Sequence, residues 1–116
     1  MRTYIIILSN IPNEESDNKF GKYINDNKLD YWRYTPLNYI ILTPDFITTT
    51  VLILELRNAY GSMFLSVLEI DIKDVGGIFP SNSEFDGWTP FQWFKKIRDP
   101  KFIPRWEKEK IKGSNI

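Results

Sequence analysis

The chain has 116 residues, of which 42% are hydrophobic and 26% charged, and its formal net charge is zero. This length and balance predict one globular domain, and a neutral chain has no overall field that attracts nucleic acid or a membrane surface. The sequence contains neither cysteine nor histidine, which excludes disulfides and thiolate or imidazole catalysis. No apolar run approaches the roughly 20 residues that cross a bilayer. We therefore expect a cytoplasmic protein of a microbe or its virus, without cofactor or bound metal.

Apolar runs and their spacing predict the main elements in chain order. Four runs predict strands, and they are Tyr4–Leu8, Leu29–Tyr34, Tyr39–Thr43 and Met63–Ile70. Helical spacing predicts one helix from about residue 14 to 27 and another from about residue 47 to 60. Asn13 suits the first helix as a cap, whereas Asp45, Thr48 or Thr49 could cap the second, and Gly61 suits its end.

The order of these elements predicts an α+β fold of the ferredoxin-like βαββαβ type, over residues 3–72. The first and third strands are apolar on both faces, which favours central positions, whereas the second and fourth carry charged residues and suit edges. The expected strand order is therefore 4-1-3-2.

Residues 73–116 are predicted to be an aromatic C-terminal extension of the same domain. Ile78–Phe79 suggests a short fifth strand, and Thr89-Pro90 marks the start of a short helix that ends before Pro100. Residues 95–116 hold eight basic and three acidic side chains. A basic tail of this kind can touch nucleic acid or an acidic partner, although a solvated helix face is the alternative. The candidate contacts are Arg33, Lys95, Lys96, Arg98 and Arg105.

Two helices cover only one face of a four-stranded sheet, so the second apolar face needs another cover. We expect two protomers to pack sheet to sheet as a homodimer, with the aromatic C-terminal segment bracing the contact. The residues predicted to pack in the dimer or on the sheet face are Tyr4, Ile6, Leu8, Trp32, Trp88 and Trp93.

Few residue patterns point to chemistry. Glu69 and Asp71 lie two apart and could hold Mg²⁺, although a solvated strand end is the alternative. Tyr4 and Tyr39 stand on the predicted central strands, where RNA-recognition domains place base-stacking aromatics, but the accompanying glycine and paired aromatics are missing. Trp32, Arg33 and Tyr34 form an aromatic and basic cluster that could stack on a base.

Three segments resemble the small ferredoxin-like CRISPR adaptation protein, a metal-dependent nuclease and integration scaffold, and its non-CRISPR relatives. They are Tyr4–Ile7, the aromatic second strand running into Tyr39–Thr43, and Phe64–Glu69; Ile78-Phe79 and residues 88–97 are also similar to some relatives. The resemblance implies a symmetric homodimer formed by sheet packing. That family carries a metal-binding aspartate directly after the first strand, where this chain has Ser9 and Asn10, so the resemblance implies a non-catalytic relative.

Three functions remain open at this point. The favoured one is a non-catalytic binding or scaffold homodimer that contacts nucleic acid or a protein complex. The second is a metal-dependent nuclease that uses Asn10, Glu69 or Asp71. The third is a small viral or mobile-element protein that inhibits a host defence complex.

Overall fold

The structure is a computed structural model that describes residues 1–33, 35–74, 76 and 90–114. Tyr34, Trp88 and the predicted strand Ile78–Phe79 lie outside the described residues. The elements are β1 (Arg2–Leu8), α1 (Glu14–Asp26), β2 (Asp30–Trp32), β3 (Asn38–Thr43), α2 (Thr49–Tyr60), β4 (Leu65–Glu69), α3 (Pro90–Arg98) and α4 (Arg105–Ser114).

The four strands form one antiparallel sheet in the order β2-β3-β1-β4. The α+β class is therefore confirmed. The strands that are apolar on both faces, β1 and β3, are the central ones, and the two strands that carry charges lie at the edges. β2 is shorter than the run that predicted it and spans three residues.

Local capping explains where the two large helices begin. The Asn13 side chain accepts a hydrogen bond from the backbone N–H of Ser16 at 2.8 Å, so α1 begins at Glu14. The Thr48 hydroxyl accepts from the N–H of Val51 at 3.4 Å, so α2 begins after Thr48 rather than at Ile47. Gly61 ends α2 with a φ of 65°, a conformation that favours glycine.

The core fills the space between one face of the sheet and helices α1 and α2. Tyr4 and Ile6 of β1 are fully buried there, and the Tyr4 hydroxyl donates to the carbonyl of Ile47 at 2.7 Å. The buried cluster comprises Tyr4, Ile6, Leu8, Phe20, Ile24, Leu29, Tyr39, Ile41, Ile47, Leu52, Leu56, Ala59 and Tyr60. Side chains alternate across a strand, so Ile5 and Ile7 lie on the opposite face.

The chain divides into two compact units, residues 1–70 with 104–116 and residues 71–103. In the first unit, Arg105 donates from its backbone N–H to Asp30 Oδ2 at 2.9 Å and from Nη1 to the Leu29 carbonyl at 3.0 Å. Trp106 packs against the core. Within the first unit, helix α4 therefore contacts the start of β2 and the core.

The second unit contains α3, in which Phe94 and Ile97 are buried. The Trp93 and Phe94 rings meet edge to face, with centroids 5.3 Å apart, and the Arg98 guanidinium donates to the Lys73 carbonyl. Within the described part of the chain, no helix combines the length and the apolar character needed to cross a membrane.

Candidate interaction surfaces

A partly buried polar cluster joins α1, α2 and the segment after β2. Asp17 Oδ1 accepts a hydrogen bond from the Tyr60 hydroxyl at 2.8 Å and forms an ion pair with Arg33 Nη2 at 3.1 Å. The Tyr39 and Tyr60 hydroxyls lie 3.0 Å apart. The Arg33 guanidinium also stacks over the Tyr39 ring, 4.3 Å from its centroid. The cluster therefore supplies partners to a partly exposed carboxylate and to two buried tyrosine hydroxyls.

Burial shapes the chemistry of the two tyrosines. Burial raises the pKa of Tyr60 far above its ordinary value, and the hydrogen bonds to Tyr39 and Asp17 raise it further. Burial is also the main cause that raises the pKa of Tyr39. Both hydroxyls therefore remain protonated at any physiological pH.

Arg33, a predicted nucleic-acid contact, already has partners within this cluster. Its guanidinium pairs with Asp17 and donates to the Pro36 carbonyl at 2.7 Å. Only 19% of its side chain is exposed. A phosphate would have to compete with a carboxylate that is already in contact, so these contacts favour a role in holding α1 against the strands.

Three other predicted contacts lie in the last turn of α3. Lys95 and Arg98 line one open pocket of about 510 Å³, whose other walls are Phe94, Asp99 and Pro100. Lys96 is partly buried. Basic side chains at a helix C-terminus also complement the helix dipole, so their position alone does not identify a ligand. The pocket is where two cations and an apolar wall come together in the second unit.

Arg105, the fifth predicted contact, lies at the start of α4. Its guanidinium and backbone N–H are both engaged with Leu29 and Asp30. Its described role is to bind the start of β2, and contact with nucleic acid remains a prediction.

The packing residues predicted for a dimer fall on different faces of the sheet. Tyr4, Ile6 and Leu8 face α1 and α2 and are at most 2% exposed, so the chain's own helices cover them. Of the two positions predicted for them, the structure describes packing on the sheet face within the chain. Trp32 pairs with Ile40 on the opposite face and is buried, whereas Trp93 is partly exposed.

The burial of Tyr4 and Tyr39 contradicts base stacking by these residues. Their rings are 0% and 3% exposed, and Tyr39 packs edge to face on Phe20 at 5.4 Å between centroids. In this protein the central-strand aromatics are core residues.

Exposed apolar side chains gather on the other face, beside β1 and β4. Ile7 is 43% exposed, Leu68 is 51% exposed and Phe64 is 84% exposed. Ile7 pairs with Ser66 across the ladder, and the Phe64 carbonyl accepts from the N–H of Ser9 at 2.9 Å, which extends the ladder by one pair. We call Ile7, Phe64 and Leu68 the open patch. The sequence predicted the strand that carries Phe64 and Leu68 but not their exposure.

Glu69, Asp71 and Asn10 are the residues considered for a metal. Glu69 Oε1 lies 3.6 Å from Arg2 Nη1 on the face of Tyr4, and Asp71 and Asn10 are exposed. Within the ranges that the structure describes, no three histidine, cysteine or acidic side chains group as metal ligands do. Pairing with Arg2 gives Glu69 a structural partner.

Comparisons with known proteins return no match to a family model, to a curated protein or to a solved structure.

Proposed function

We propose that this protein is a non-catalytic binding or scaffold protein that acts as a homodimer. The observation that carries the proposal is the open patch, in which three large apolar side chains stand together outside the core. Exposed apolar surface of this kind typically marks an interaction site. Two of the three residues belong to neighbouring strands of a rigid sheet, so the patch is ordered before a partner arrives.

The test is the oligomeric state of the intact chain. We expect a dimer by size-exclusion chromatography with light scattering at micromolar concentration. Leu68→Glu should shift it to a monomer, because a buried carboxylate without a partner is strongly unfavourable in an interface.

Leu54→Glu is the matched control, because Leu54 on α2 is 63% exposed and receives the same charge on the other side of the molecule. A monomeric wild type contradicts the homodimer. A dimer that Leu54→Glu dissociates and Leu68→Glu leaves intact moves the interface to α2 and contradicts the role of the open patch.

Nucleic-acid binding is the second candidate function, and the Lys95 and Arg98 pocket favours it. The two neighbouring cations, Lys95 and Arg98, offer a contact for a backbone phosphate. This function is compatible with a scaffold role.

The same proposal extends to the fold type and to its relatives. We propose a ferredoxin-like βαββαβ core, which the strand order and the positions of α1 after β1 and α2 after β3 support. Kinship with the CRISPR adaptation family is a hypothesis that rests on this pattern. Ser9 and Asn10 restrict that hypothesis to a relative without the metal-binding aspartate.

A further inference from the structure

The outer edge of β4 carries backbone groups that the sheet does not use. The bonds from Ser9 N–H to the Phe64 carbonyl and from Ile70 N–H to the Thr3 carbonyl fix which residues of this ladder form hydrogen-bonded pairs. Because the pattern alternates in antiparallel strands, Ser66 and Leu68 direct their N–H and C=O groups towards β1. Leu65, Val67 and Glu69 therefore direct theirs outward. In the described residues, no strand pairs with β4 on that side.

The opposite edge of the sheet, formed by β2, is short and has a contact with α4 at its start. At β2, Arg105 of α4 binds the Leu29 carbonyl and the Asp30 carboxylate. β2 is also only three residues long. Short strands and covering segments are the usual protection of a sheet edge. Between Leu65 and Glu69, β4 contains neither proline nor a basic residue.

We infer that two copies of this chain pair through β4, edge to edge and antiparallel, about a two-fold axis at Val67. In this register Val67 lies opposite its own copy, and Leu65 lies opposite Glu69 of the second copy. Every outward-pointing N–H and C=O of the three residues then finds a partner. A two-fold axis at Ser66 or Leu68 would still pair outward-directed residues with one another. It would, however, leave one of Leu65, Val67 and Glu69 without a partner in β4 of the second copy. The hydrogen-bond pattern therefore selects one register.

The side chains of the open patch fit this register. Ser66 and Leu68 of the two copies stand opposite one another on the face that also carries Ile7. Leu68 then lies diagonal to Phe64 and to Leu68 of the second copy, at a spacing that large side chains bridge. The pairing places Leu68 and Phe64 of the two copies side by side, and both are among the more exposed apolar residues of the described chain. A second copy is thus an occupant that satisfies both the backbone edge and the patch.

This inference rests on the proposed homodimer and specifies its contact. The chain contains no cysteine, so any disulfide that forms must join introduced cysteines. Ser66→Cys and Leu68→Cys are made as separate variants, mixed in equal amounts and oxidised. Opposed residues in a non-hydrogen-bonded pair lie about 4.5 Å apart between Cα atoms, within the range of a disulfide. We expect the mixed disulfide to form in large excess over either homodisulfide, because identical positions lie on a longer diagonal.

A mixture of Ser66→Cys with Leu54→Cys is the control and should give no comparable product. If light scattering shows a dimer but the mixed disulfide does not exceed the homodisulfides, the β4 register is wrong while the homodimer stands. If light scattering shows a monomer, both fail.

Val67→Pro gives an independent readout, because proline removes an N–H that points outward and is not used by β1. We expect this variant to keep the circular dichroism of the wild type and to become monomeric. A folded Val67→Pro variant that remains dimeric contradicts pairing through this edge. If the variant does not fold, the disulfide experiment decides.

Discussion

Asp17 is the residue on which the polar cluster depends. It lies in the first turn of α1, where its charge complements the helix dipole, and it also binds Tyr60 and Arg33. One side chain therefore connects α1, α2 and the segment after β2. No short sequence pattern predicts this, since Asp17 and Tyr60 are 43 positions apart and only the packed fold brings them together.

Tyr60→Phe tests the cluster. Removing the hydroxyl leaves Asp17 short of a donor, and we expect the free energy of unfolding at neutral pH to fall by about 1–2 kcal/mol. The raised pKa values of Tyr60 and Tyr39 fix the sign of the pH dependence. Below the ordinary tyrosine pKa of 10.0, their contribution to stability is fully present. As pH rises above it, the unfolded chain releases protons that the folded chain retains, so stability declines.

Urea unfolding between neutral pH and about pH 11 measures both effects. The alkaline decline should be shallower in Tyr60→Phe than in the wild type. Tyr31→Phe, at an exposed position, should change neither value appreciably. An unchanged alkaline slope in Tyr60→Phe would mean that this hydroxyl does not hold its proton through the fold.

At the scale of the elements, helix caps and the alternation of strand side chains could be predicted from the sequence. Contacts between different elements could not. Asn13 predicted the start of α1 because a cap acts within three residues. Thr48 was one of three candidates for α2, since neighbouring hydroxyl and carboxyl side chains can perform the same role. Alternation predicted which β1 residues share a face of the sheet. It did not predict which face the helices cover, because that depends on the handedness of the connections between strands and helices. That is why the sequence left open whether Tyr4 and Leu8 pack within the chain or against a second copy.

Two glycines provide a matched pair of substitutions with opposite expected signs. Gly21 lies inside α1, and a methyl group built there meets no neighbouring atom within 4 Å. Gly21→Ala should therefore raise the free energy of unfolding by about 0.5–1 kcal/mol. Gly61 has φ 65° and ψ −127°, which an alanine adopts only with strain, so Gly61→Ala should lower it by about 1–3 kcal/mol. Chemical denaturation of both variants measures the difference, and equal signs would contradict the capping role of Gly61.

At the scale of the whole molecule, the formal net charge is zero but the charges are unevenly distributed along the chain. The last 22 residues carry a net charge of +5 and the preceding residues a net charge of −5. If nucleic acid binds the α3 pocket, the contact depends on local cations rather than on the total charge. The balance also opposes binding elsewhere on the surface, because the acidic remainder repels phosphate.

Salt dependence tests that contact. Fluorescence anisotropy with a labelled RNA or DNA strand, between about 50 and 200 mM salt, should give a steep loss of wild-type affinity. The Lys95→Gln and Arg98→Gln double variant should bind more weakly, with a slope of log affinity against log salt reduced by roughly 1–2. Lys19→Gln on α1, a lysine that is 57% exposed, is the charge control and should match the wild type. A wild-type affinity that salt does not alter would exclude Lys95 and Arg98 as phosphate contacts.

The length of β2 also limits how far assembly can proceed. In the dimer that we infer, the two β4 strands pair with each other at the centre. The two β2 strands then form the outer edges of a continuous eight-stranded sheet. At the start of each of these strands, Arg105 binds the Leu29 carbonyl and the Asp30 carboxylate. In this dimer, a third copy would meet a strand of only three residues at either end, so the pairing is expected to stop at two copies.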